Sequence, residues 1–139
     1  MLRTIFILLI SFSIIHPTFG QKTAPELLKQ AVICSEAGSL DASIELCNQA
    51  IALNQKYELA YFQRAISYEL KGNIDKAIAD YTMTIKLNSK NIHAYLNRGI
   101  LYKKLKNAWA AFRDFNAARS IDITYTLSFL SGQAIKSLF

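Results

Sequence analysis

The chain has 139 residues, 52% hydrophobic and 19% charged, with a formal net charge of +6. That balance excludes a disordered polar chain, and the length allows one domain that can bury a core without metals or many disulfides. Both prolines, Pro17 and Pro25, lie near the N-terminus, and a chain free of proline from there on favours helices throughout.

Residues 1–20 differ from the rest. Arg3 precedes an apolar run from Ile5 to Ile15, and Thr18-Phe19-Gly20 stands before Gln21. The run is too short for a bilayer, which needs about 20 residues. A basic start, a short apolar stretch and a small residue at the cut are the pattern of a secretory signal peptide. An uncleaved membrane anchor is the alternative, and with no Cys at the cleavage region lipid attachment is not expected. Removal takes away Arg3, so the net charge of +6 becomes +5 in the exported chain. In an exported protein, nucleic acid is not an expected partner. The basic group Arg98, Lys103, Lys104 and Lys106 reads as a solvated helix end, since it lacks interleaved aromatics for base stacking.

From residue 21 onward the chain repeats itself every 34 residues. The step carries Ala31 to Ala65 and Gly99, Ser43 to Ala77 and Ala111, and Ala50 to Thr84 and Ala118. It also carries Tyr68 to Tyr102, Tyr81 to Phe115, and Leu53 to Leu87 and Ile121. Small residues fall on small, aromatic on aromatic and aliphatic on aliphatic, as stacked structural repeats require.

Each unit predicts two helices. In the first, Gly38-Ser39 makes the turn and Asp41 opens the second helix. The middle unit places Tyr61, Ala65 and Tyr68 at helical spacing, turns at Gly72-Asn73, and starts again at Asp75, an acid at the positive end of a helix. Ala77, Ile78, Tyr81, Ile85 and Leu87 then define a buried face. The third unit turns at Lys106-Asn107. Small side chains such as Ala65 and Ala77 belong where two antiparallel helices cross. One hairpin cannot cover its own apolar faces, so the units stack. Residues 126–139 predict a further apolar helix, read as a cap on the last unit. A tail inserting into a partner or a second copy is the competing reading.

The units 24–57, 58–91 and 92–125 resemble tetratricopeptide repeats. The middle one carries Ala60-Tyr61, Arg64-Ala65, Tyr68, Gly72, Ala77-Ile78, Asp80-Tyr81, Ile85 and Leu87-Asn88. The third carries Ala94-Tyr95, Arg98-Gly99, Tyr102, Ala111, Asp114-Phe115 and Ala118. The proline usual near each repeat's end is replaced by Gln55, Ser89 and Ile123. The resemblance implies an all-α fold: a right-handed α-solenoid of three helical hairpins plus a C-terminal capping helix.

Such arrays bind peptides or protein segments along a concave surface formed by the first helix of each repeat. The resemblance places Leu28, Val32, Phe62, Gln63, Ile66, Leu96, Asn97, Ile100 and Lys103 there. Leu28, Phe62 and Leu96 form one apolar column, and Val32, Ile66 and Ile100 another, giving an apolar stripe. Either the stripe belongs to the core, or it is a groove for a partner's segment, with Gln63 and Asn97 bonding the partner's backbone. The carboxylate clamp that some of these repeats use is not expected. The matching residues are Leu28, Val32, Gln63, His93 and Asn97, and no cationic pair is among them.

Arg64 with Asp80, and Arg98 with Asp114, recur at equal spacing and read as structural ion pairs bracing each hairpin. As exposed pairs they would contribute at most about 1 kcal/mol. Cys34 shares a column with Tyr68 and Tyr102, and Cys47 shares one with Tyr81 and Phe115. In an exported chain this suggests a disulfide across the first hairpin, contributing roughly 3 kcal/mol. Two free buried thiols are the alternative. Beyond residue 20, His93 is the only histidine, so no metal site, cofactor site or catalytic triad is expected, and the chain reads as a non-enzyme.

Three functions remain open at this stage. The first is an exported, periplasmic or secreted adaptor that binds a protein or peptide segment in the apolar groove. The second is a structural protein that forms homo-oligomers through its C-terminal helix. The third is a holdase-like chaperone of the periplasm.

Overall fold

The computed structural model describes residues 22–136. The signal-peptide reading of residues 1–20 lies outside the described residues, as does the end of the proposed cap.

Among the described residues seven α-helices follow one another: α1 (Ala24–Glu36), α2 (Leu40–Leu53), α3 (Glu58–Leu70), α4 (Ile74–Leu87), α5 (Ile92–Lys104), α6 (Ala108–Ile121) and α7 (Ile123–Lys136). No strand occurs among the described residues. α1 packs on α2, α3 on α4 and α5 on α6 as hairpins, and the hairpins stack through α2 on α3 and α4 on α5. α7 closes the series against α6. The result is an all-α solenoid.

Three turns built alike make the hairpins. Gly38 and Gly72 sit at φ 78°, and Lys106 at φ 59°, in the same repeat column. The residue after each sends its amide back five positions: Ser39 to the Cys34 carbonyl, Asn73 to Tyr68 and Asn107 to Tyr102. This left-handed cap satisfies carbonyls that the ending helix leaves open. Lys106 does the job with a side chain, at a steric cost that glycine avoids. At the helix starts, Thr23 and Glu26 form a capping box, with the Thr23 amide donating to Glu26 Oε2 at 2.7 Å. That bond holds the Glu26 carboxyl below its ordinary pKa. Asn91 and Asn107 cap α5 and α6 through the amides of Ala94 and Ala110.

The core runs through the helix crossings. Ala65, Ala77, Tyr81, Ala94 and Leu101 are fully buried together, flanked by Phe62, Ile66, Tyr68, Ile74, Ile78 and Ile85. A second cluster, Leu27, Ala50 and Ala60, joins the first two hairpins. At the third crossing, a Cβ on Gly99 would lie 2.6 Å from Phe115 Cε1, so only glycine fits.

The last helix begins at Ile123, three residues before the expected 126. Asn54, Asn88 and Asp122 share a column, but they act differently. Asn54 and Asn88 accept from the amide two residues on, which spaces a loop before the next helix. Asp122 accepts from Tyr125 N at 2.9 Å, three residues on, and starts a helix at once.

Candidate protein-binding face

The first helices of the hairpins share one face. On α3, Leu59, Phe62, Gln63, Ile66 and Leu70 recur at helical spacing, and on α5 His93, Leu96, Asn97, Ile100 and Lys104 do so. α1 contributes Leu28 and Val32. Leu28, Val32, Phe62, Ile66 and Ile100 are half-buried, and Lys103 is exposed.

Two expected contact residues are not on offer. Leu96 has no exposed surface, and Gln63 keeps only 8% of its own. Leu96 is thus a core residue of α5, whereas Phe62 in the same column is half-buried. Asn97 is half-buried and already engaged, donating from Nδ2 to the Tyr81 hydroxyl at 3.2 Å. Tyr81 in turn donates to Glu69 Oε2 at 3.0 Å. Burial, and then the charge of Glu69, push the Tyr81 pKa upward, so the hydroxyl keeps its proton and its donor role. Asn97 therefore ties α5 to α4, in place of the expected bond to a partner's backbone.

An aromatic row continues the face. Phe62 stands 6.4 Å from the His93 ring, His93 stands 5.2 Å from Tyr125, and Tyr125 stands 6.4 Å from Phe129. The Tyr125 hydroxyl lies 3.3 Å from His93 Nδ1. α7 thus adds its own side chains to this face. Sequence reasoning missed Leu59, Leu70, Tyr125 and Phe129; Leu59 and Leu70 carry a signal in their helical spacing from Phe62 and Ile66 on α3, whereas Tyr125 and Phe129 lie on α7, where no residue of the face was expected. Beside the row, Ile100, Lys103, Lys104 and Gln133 line a shallow depression of about 300 Å³. Lys104 Nζ lies 3.8 Å from Glu69 Oε1 there.

The two ion pairs are more buried than the sequence led us to expect. Asp80 and Asp114 are 6% and 1% exposed. Each accepts two parallel hydrogen bonds of 2.7 and 2.8 Å from its arginine. The remaining guanidinium nitrogen crosses to the preceding hairpin: Arg64 to Asn48 at 2.7 Å, and Arg98 to Thr82 at 2.8 Å. Asn48 and Thr82 share a repeat column, so each arginine joins three helices in the same way. The Asp80 bonds hold the Arg64 pKa up. Burial opposes charge on Arg98, but Asp114 more than offsets it and its pKa is raised. These residues are committed to the scaffold.

Cys34 and Cys47 are both free. The bridge considered from the sequence is therefore not formed; Cys34 is half-buried, while Cys47 is enclosed with no exposed surface. Burial pushes the Cys47 thiol up to about 12. Among the described residues no group of three His, Cys, Asp or Glu converges as metal ligands would. No helix among them is long and apolar enough to cross a membrane.

Residues 59–91 match the family model for the tetratricopeptide repeat. No curated protein sequence matches the chain. Among solved structures, MamA is 27% identical with a TM-score of 0.71, over 74% of this chain and 60% of that one. YrrB, described as a TPR protein with an unusual peptide-binding site, is 17% identical with a TM-score of 0.72, over 82% and 59%. The second TPR of Spaghetti (RPAP3), bound to the HSP90 peptide SRMEEVD, is 22% identical with a TM-score of 0.69, over 73% and 94%. The chain therefore spans about three fifths of MamA and of YrrB. A repeat match on the middle hairpin, three hairpins in one register and these shared folds lead to one conclusion: residues 59–91 form a tetratricopeptide repeat, and the described residues share the fold of tetratricopeptide-repeat proteins.

Proposed function

We propose that this chain is an exported protein-interaction module that takes an apolar segment of a partner protein along the face of α1, α3 and α5. The observation that carries the reading is the line of half-buried apolar side chains, Leu28, Val32, Phe62, Ile66 and Ile100, continued by the Phe62, His93, Tyr125 and Phe129 rings. Leu59 and Leu70, 44% and 60% exposed, widen it. A contiguous apolar strip on repeat helices suits a helix or extended segment laid across it. The structural neighbours that hold or bind peptides support the class of partner. No cationic pair among Leu28, Val32, Gln63, His93 and Asn97 would hold a terminal carboxylate. Export rests on the leader-like residues 1–20.

Phe62 and Ile66 pack against the Ala65–Tyr81 core, so charged residues there would disturb the fold as well as the face. The better test places Leu59→Glu and Leu70→Lys on the exposed margin. Partners retained by the wild type in co-purification from the exported fraction are compared with those of the double variant, with helical content followed by circular dichroism. Loss of a partner by a fully helical variant supports the face. Retention of every partner would overturn it.

A further inference from the structure

The solenoid has two unlike ends, and their surfaces are complementary. Along α4, Ile74, Ile78 and Ile85 are half-buried against the cluster that includes Ala94 and Leu101 of α5. The same columns on α6 hold Ala108, Phe112 and Arg119. Although α7 packs on α6, Phe112 stays 57% exposed and Trp109 74% exposed, their rings stacked 6.1 Å apart at 28°. Arg113, the next residue, is exposed as well. An isolated pair of stacked aromatics in water is a costly surface unless something covers it.

At the other end of the described residues, α1 packs on α2 and α3, and no described hairpin precedes it. Its Ile33 shares a column with Ser67 and Leu101, both fully buried where α3 and α5 meet the preceding helix. Ser67 there touches Ser43 of α2 at 2.8 Å. Ile33, by contrast, is 56% exposed, with the exposed carboxylates Glu26 and Glu36 on the same helix. The charges follow the same axis. Residues 24–57 carry a net −2 and residues 92–125 a net +4. Opposite ends of one molecule thus attract, and like ends repel.

We propose that copies of this chain associate head to tail, with the Trp109–Phe112 pair and Arg113 of one copy docking on Ile33 between Glu26 and Glu36 of the next. The interface is heterologous, so each copy keeps one free end and assembly can continue. This proposal is independent of the partner face on α1, α3 and α5.

The test uses sedimentation velocity on the full chain, with the N-terminal apolar run present in every variant so that it contributes equally. The wild type is expected to form dimers and larger species as concentration rises, and to revert towards monomer at high salt. Trp109→Ser/Phe112→Ser removes one end, and Ile33→Glu the other. Each variant alone is expected to remain monomeric with native helical content, whereas a mixture of the two forms a dimer that grows no further. A wild type that stays monomeric at every concentration would overturn the proposal. So would an Ile33→Glu chain that associates like the wild type, since that outcome means a symmetric contact or another occupant of the aromatic pair.

Discussion

Arg98 and Asp114 meet as a flat fork: Nε to Oδ2 at 2.7 Å and Nη2 to Oδ1 at 2.8 Å, with the carboxylate almost wholly withdrawn from water. The third nitrogen reaches Thr82 on the preceding hairpin. The pair therefore sets both the angle within a hairpin and the seat of that hairpin on its neighbour.

Removing one partner of a buried pair leaves a charge with no compensation, which costs on the order of 3–5 kcal/mol. Asp114→Asn is expected to lose about that much in chemical denaturation. Asp80→Asn should lose less, because the Arg64 side chain is 20% exposed and water can take over part of its solvation. Arg98→Lys should not restore the wild-type value, since an ammonium cannot fill three positions of a planar fork. Equal losses at Asp80 and Asp114 would contradict the role given to burial.

Glycine is missing from one of three equivalent turns. Lys106→Gly should stabilise the chain by about 1 kcal/mol, because φ 59° costs a side chain what glycine does not incur. Gly72→Ala, at φ 78°, should lose a similar amount. Thermal unfolding of both variants reads the two opposite signs.

Gly99→Ala drives a methyl into the Phe115 ring, and overpacking of this kind costs about 1–3 kcal/mol. Adding Phe115→Leu should recover part of the loss. Additive losses in the double variant would show that the two residues do not share the crossing.

Cys47 links stability to alkaline pH. Its thiol has a raised pKa in the folded chain, so below the ordinary value of 9.0 both states are protonated and stability is unaffected. Between 9.0 and about 12 only the unfolded chain ionises, and stability falls as pH rises. Cys47→Ala should flatten that fall. In alkylation at pH 8, the half-buried Cys34 should react first and Cys47 only after unfolding.

How much of this was legible beforehand depends on the range of the interaction. The 34-residue step alone located three hairpins, their turns at Gly38, Gly72 and Lys106 and the small residues at the crossings, because these needs recur in each unit. The Arg64–Asp80 and Arg98–Asp114 spacings pointed to partners, but not to how deeply they lie. Of the residues expected on the face, Phe62, Ile66 and Ile100 are half-buried, whereas Leu96 and Gln63 are buried and Asn97 is bonded to Tyr81.

Periodicity by itself determined the helices, their pairing and the residue size at each crossing, since those follow from local geometry repeated along the chain. Only the tertiary structure decided what the ends of the array expose. Ile33 and Phe112 occupy columns that are covered wherever a neighbouring hairpin exists. A repeat pattern treats every unit alike, but a finite stack has a first and a last, and burial depends on which neighbour is actually there.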